Sequence, residues 1–113
     1  MKRKIIAYGT YYKDFFDTLD RPTQEKILYG MLQLKTQERL PSKFVKHIRD
    51  GLFELRIEWR GNIYRIFFCF DEGRIVILFN GFQKKTQKTP EKEINKALKL
   101  KAEYEEKKRN ENV

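Results

Sequence analysis

Few side chains in this sequence can do covalent chemistry, and most of those that can are cations. Ser42 is the only serine, Cys69 the only cysteine and His47 the only histidine. No Gly-rich phosphate loop, zinc-ligand spacing or carboxylate cluster for magnesium is present, so neither a metal nor a cofactor is expected. Catalysis, if any, must run on Arg, Lys, His, Glu and Tyr. The candidates gather in Leu52–Gln87: Arg56 and Arg65 within apolar runs, Glu54 and Glu58 beside them, then Lys84 and Lys85. Such a set can cut RNA without a metal, because the substrate brings its own nucleophile, the 2′-hydroxyl. The protein must orient the phosphate, stabilise charge on its oxygens and move two protons. Arginine suits the second task through its fixed fork of donors, and a lysine whose pKa is depressed by its neighbours suits the third. A blander assignment of Arg65 stays open, in which it is a half-exposed partner of Glu58 that adds little to stability.

The elements that must position these groups are three successive antiparallel strands within Leu52–Gln87. Each run is rich in β-branched and aromatic residues, and the gaps hold Arg60-Gly61-Asn62 and Asp71-Glu72-Gly73. With two-residue loops at Gly61-Asn62 and Glu72-Gly73, one sheet face collects Phe53, Leu55, Ile57, Trp59, Tyr64, Ile66, Phe68, Phe70, Ile75, Ile77 and Phe79, with no charge among them. The other face takes Glu54, Arg56, Glu58, Ile63, Arg65, Phe67, Cys69, Val76, Leu78, Asn80 and Phe82. This pairing sets Glu58 opposite Arg65 and Arg56 diagonal to it, and Glu54 is placed to position Arg56 or accept a proton.

Upstream, Arg3–Tyr8 reads as a short strand. Thr10 can cap a helix through Leu19, with Tyr12, Phe15, Phe16 and Leu19 on one face. A second helix is expected from Pro22 to Gln37, with Ile27, Leu28, Met31, Leu32 and Leu34 as its apolar stripe. The two form a hairpin that needs the apolar sheet face as its partner. Glu38–Gly51 reads as an irregular connector. Thr89 and Pro90 start a last helix with a narrow apolar stripe, frayed from about residue 105. The expected fold is α+β in a single domain, residues 1–113.

The formal net charge is +9, which favours a polyanionic partner, nucleic acid before membrane. The excess lies outside the strands: residues 1–51 carry a net +5, residues 52–83 none and residues 84–113 +4. Two windows lack acids altogether, one holding Arg39, Lys43, Lys46, His47 and Arg49, the other Arg74, Lys84, Lys85 and Lys88. They are either solvated loops or phosphate-binding segments. His47 fits a surface role or a proton carrier. The lone Cys69 fits a buried, inert thiol in a reducing compartment. No signal peptide or membrane-spanning run is visible, so a cytoplasmic location without membrane contact is expected.

The order strand, two helices, three-stranded meander and C-terminal helix resembles the RelE/ParE toxin superfamily over nearly the whole chain, most closely its HigB-like, phage-derived toxins. The residues that carry the resemblance are Asp50–Arg56 (DGLFELR), Tyr64–Phe68 (YRIFF) and, most specifically, Asn80–Pro90 (NGFQKKTQKTP). The resemblance implies the toxin of a type II toxin–antitoxin pair: a ribosome-dependent, metal-independent mRNA endoribonuclease partnered by a helix-turn-helix antitoxin. By position it implies that Arg65 binds the scissile phosphate, that Arg56 is the basic residue of the first meander strand, and that Lys84 and Lys85 assist the leaving group. Glu54 and Glu58 would support the arginines, and Arg39, Lys43, Lys46, His47, Arg49 and Lys88 would hold RNA. The His or Tyr that many relatives carry after the third strand is missing here. ParE-like members share the fold but poison DNA gyrase by binding, and a non-catalytic nucleic-acid-binding module is a third reading. The retained Arg56, Arg65 and lysine pair argue against the gyrase poison.

Overall fold

The computed structural model describes residues 2–85 and 88–111; Thr86 and Gln87 of the Asn80–Pro90 segment lie outside the described residues. The fold is α+β. Eight elements follow in the order β1 (Lys4–Ala7), α1 (Tyr11–Asp17), α2 (Arg21–Thr36), β2 (Val45–Arg49), β3 (Leu52–Trp59), β4 (Asn62–Asp71), β5 (Ile75–Lys84) and α3 (Glu91–Glu111). The strands form one five-stranded mixed sheet in the order β1-β5-β4-β3-β2, with β1 parallel to β5 and the other pairs antiparallel.

The meander expected from the sequence is therefore the centre of a wider sheet. Its flank β2 lies in the segment expected to be irregular. The cause is Asp50-Gly51: both residues take positive φ, 54° and 76°, the backbone of a tight two-residue hairpin turn. The turn folds Val45–Arg49 back onto β3, pairing Lys46 with Glu54.

Helices α1 and α2 cover one sheet face. Asp20 caps α2 by accepting from the Thr23 amide at 3.0 Å. Ile27, Met31 and Leu34 of α2 are buried with Leu55, Ile57, Tyr64, Ile66, Phe68, Val76 and Leu78. Tyr12, Phe15, Phe16 and Leu19, from α1 and the turn after it, pack against the same cluster. Leu28 and Leu32, expected in the buried stripe, face solvent instead. Helix α3 covers half of the opposite face, where Ile94, Ala97 and Leu100 pack with Leu52, Phe67, Cys69, Ile77 and Phe79.

The first hairpin loop is Arg60-Gly61, and Trp59 pairs with Asn62. That is a two-residue shift from the expected register, so β3 and β4 keep their expected faces. The second loop holds Glu72, Gly73 and Arg74, because Asp71 pairs with Ile75. The extra residue sends Val76 and Leu78 to the α1/α2 side and Ile77 and Phe79 to the α3 side, the reverse of the expected assignment. Further along, Phe68 pairs with Leu78 but Ile66 with Gly81. Phe67 thus faces two residues, Phe79 and Asn80, in a β-bulge. Helix α3 also continues to Glu111, past the expected fraying point. Asp71 holds its last turns: Tyr104 donates to this carboxylate, and Lys108 bonds it at 2.6 Å.

Candidate functional site

Helix α3 leaves the β2–β3 end of its sheet face open. Alternation along the strands brings five polar side chains together there. Lys46 stands opposite Glu54, Arg56 opposite Arg65, and Arg65 opposite Phe82, two residues before Lys84. The start of α3 walls the opening. Asn80 in the bulge donates to the Glu93 backbone oxygen at 3.3 Å and to the Glu93 carboxylate at 3.2 Å. Arg49 reaches from β2 to Glu91 at 3.0 Å and to Asn95 at 3.3 Å. The resulting cavity, about 480 Å³, is bordered by Lys46, Glu54, Arg56, Lys84, Lys88 and Thr89 among others.

Glu54 and Arg65 are each only 2% exposed; Glu54 borders the cavity, and Arg65 lies behind it without bordering the opening. One carboxylate oxygen, Glu54 Oε1, lies 3.5 Å from Arg65 Nε and 3.6 Å from Arg56 Nε. Neither Nε makes a hydrogen bond despite its burial. Arg65 Nη1 donates to the Tyr64 carbonyl at 3.0 Å, which holds the guanidinium in the sheet. Thr89, read from the sequence as a helix cap, donates its hydroxyl to the other Glu54 oxygen at 3.4 Å. Two arginines directly across a strand pair repel each other, and the shared carboxylate is what lets both stay. It neutralises only one of the two charges, so the base of the cavity remains cationic and anion-seeking.

Burial pulls the Arg65 guanidinium below its ordinary pKa; Glu54 opposes the shift and Arg56 adds to it. Lys84 is also lowered, first by burial and then by Arg65, with smaller contributions from Arg56 and Lys46 and with Glu54 in opposition. A lysine held this way releases its proton more readily than a solvated one. Cys69, buried on the same face beneath α3, is pushed up to about 11, chiefly by burial. That suits an inert thiol.

This basin and the strands that form it lie within residues 14–102, the span matched by the family model for phage-derived, Gp49-like proteins (DUF891). The chain belongs to the Gp49-like family. No curated protein matches it. The Gp49-like match runs from the middle of α1 to the middle of α3, leaving out β1, the start of α1 and the last turns of α3.

Within this Gp49-like chain the candidates of the sequence fall into three places. Arg56, Lys84 and Glu54 meet in the basin with Lys46 and Lys88, and Arg65 is buried behind Glu54, near enough to act on Lys84 but not bordering the cavity. Lys85 is exposed just beyond β5 and does not border the cavity. Glu58 stands opposite Ile63 rather than Arg65, and Glu54 takes the expected role of arginine partner. Arg49 is engaged by α3, and that hydrogen bond to Glu91 raises its pKa. His47 borders the cavity, but its ring packs edge-on against Phe53, 5.0 Å between centroids, toward the other side of the sheet. Arg39 and Lys43 line a separate groove with Arg56. The sequence signal for Lys46 as a basin residue was the Asp50-Gly51 turn, which fixes its position across from Glu54. Among the described residues, no group of three His, Cys, Asp or Glu side chains can hold a metal ion. No helix among them is long and apolar enough to cross a membrane.

Proposed function

We propose that this Gp49-like chain is the toxin of a type II toxin–antitoxin pair, and that it cuts mRNA on the ribosome as a metal-independent endoribonuclease. The observation that carries the reading is the set of cations gathered around Glu54: Arg56 and Lys84 border an open basin, and the buried guanidinium of Arg65 lies just behind Glu54. A buried cation that shares its counter-ion is set up to receive another anion. In the reaction, the 2′-hydroxyl loses a proton and its oxygen bonds to phosphorus. The bond from phosphorus to the 5′-oxygen breaks, and that oxygen takes a proton. The products are a 2′,3′-cyclic phosphate and a free 5′-hydroxyl. Arg65 and Arg56 hold the phosphoryl oxygens and offset the charge that develops on them. Lys84, with its lowered pKa, carries one of the two protons. Glu54 orients the arginines, and Lys46 and Lys88 contact flanking phosphates. The partner that silences the toxin is a helix-turn-helix antitoxin.

The test is cleavage of mRNA on translating ribosomes by a folded Arg65→Ala protein. Losing one such donor should slow cutting about a hundredfold to a thousandfold, and Arg65→Lys should restore little because a point charge lacks the guanidinium fork. Full cutting by Arg65→Ala ends the ribonuclease reading of this site. A gyrase poison would instead leave mRNA intact and trap cleaved DNA.

A further inference from the structure

A second hollow, about 610 Å³, lies between α2, the segment before β2 and β3, within the usual size of a small-molecule pocket, about 300–1,000 Å³. Its walls carry two aromatic rings that the fold does not bury: Tyr29 is 56% exposed and Phe44 48%. Cations stand over both. Lys26 Nζ lies 5.4 Å from the Tyr29 ring centre, and Lys43 Nζ 5.9 Å from that of Phe44. Arg39 and Arg56 also line the hollow, with Glu58 the only carboxylate among its lining residues. Arg56 borders this hollow and the catalytic basin alike. A strand whose phosphate rests on Arg56 and Arg65 therefore has a cationic, aromatic-walled path leading away from the reaction.

We propose that this hollow is a base-binding subsite for single-stranded RNA. It takes a nucleotide flanking the cleaved phosphate, stacks its base on Tyr29 or Phe44 and holds its phosphate with Lys26, Lys43 and Arg39. The inference rests on the ribonuclease reading of the Arg65 basin. Exposed rings interleaved with cations suit bases, since every base has a π-face and every linkage a negative charge. They suit single strands and not duplexes, in which the bases are already stacked.

The test measures equilibrium binding of a labelled 2′-O-methyl RNA of about ten nucleotides, a length in the usual range for single-strand sites, which cannot cleave itself. Tyr29→Ala or Phe44→Ala should weaken binding about 5- to 150-fold, the range measured for stacked bases. Tyr29→Phe should bind as the wild type does. An oligonucleotide with one abasic residue, moved along the strand, should lose affinity at one position, and there the alanine variants should cause no further loss. Both rings are exposed, so the variants should melt as the wild type does; Lys43→Gln, which should lower the salt slope by about one, gives a second reading. Wild-type affinity in both alanine variants overturns the subsite. So does a loss that is the same with and without the base. Binding of polyglutamate, a stand-in for an acidic protein, is measured beside that of RNA; its loss in the alanine variants with RNA binding intact overturns the subsite in favour of a protein ligand. If the subsite fails while Arg65→Ala still abolishes cutting, the ribonuclease reading stands alone; if Arg65→Ala cuts normally, that reading fails whatever the rings do.

Discussion

Glu54→Gln tests the idea that one carboxylate keeps two opposed arginines in the sheet. The change is nearly isosteric and removes a single negative charge. Glu54 and Arg65 are both 2% exposed and 3.5 Å apart, so water cannot take the carboxylate's place. Removing one partner of a buried pair costs about 3–5 kcal/mol. For 113 residues the unfolding entropy near Tm is about 0.24 kcal/mol/K. The melting temperature should therefore fall by about 13–21 °C. The cost comes from an uncompensated Arg65 beside Arg56, so removing that arginine as well should recover part of it. Glu54→Gln combined with Arg65→Met should be more stable than the sum of the single changes by about 2 kcal/mol. Calorimetry or urea unfolding of the four proteins reads both quantities. A fall under about 4 °C for Glu54→Gln, together with additive double-variant energies, would refute the shared-carboxylate account.

Three further outcomes follow from the packing. Ile66 is fully buried between the helices and the sheet, so Ile66→Ala should cost about 2–5 kcal/mol in urea unfolding. Gly81 lies under Phe15, and a Cβ there would come within 2.5 Å of the ring; Gly81→Ala should cost about 1–3 kcal/mol as α1 is pushed off β5, and thermal melting of the variant checks this. Asp71 has its pKa lowered, first by the hydrogen bond from Lys108 and then by that from Tyr104. Its contribution is therefore complete above the unfolded value, about 3.9, and is lost as pH falls through the lower folded value. Asp71→Asn should destabilise the protein at neutral pH and flatten the acid limb of a stability–pH curve, and an acid limb like the wild type's would count against it.

Much of this fold could be read from residue types, because the strands are marked by pattern and the turns by glycine. The pairing of β3 with β4 was misplaced by two residues, yet Arg56, Arg65 and Glu54 still came out on one face, since side chains alternate with a period of two. Their partners did not. Glu58 was set against Arg65, a role that Glu54 takes, because loop length alone fixes which residues stand opposite. Strand β2 was missed although Asp50-Gly51 is a strong hairpin signal. Val45–Arg49 alternates poorly, and its polar members Lys46 and Arg49 look solvated until the sheet and α3 are built beside them. The exposed Leu28 and Leu32 were misread as core because periodicity gives a helix's apolar arc but not its width.

The bulge opposite Phe67 and the third residue of the β4–β5 loop behave like a pair of compensating frameshifts. Each moves the count of β5 against β4 by one residue from that of an unbulged hairpin with a two-residue loop. Between them, Ile75 to Phe79 take the faces opposite to that simple count, and beyond the bulge its phase returns, with Phe82 and Lys84 facing the basin. The two features are nonetheless independent, because each extra residue is unpaired where it sits. Deleting one loop residue can leave Asp71 opposite Ile75, and deleting Asn80 can leave Phe67 opposite Phe79 and Ile66 opposite Gly81, so either loss keeps Lys84 facing the basin. The hairpin can thus absorb a single loss at its loop or its bulge, whereas a single loss within the paired run 81–83 would turn Lys84 to the side of Tyr64, so the site lysine is kept in place by residue count as much as by any contact it makes.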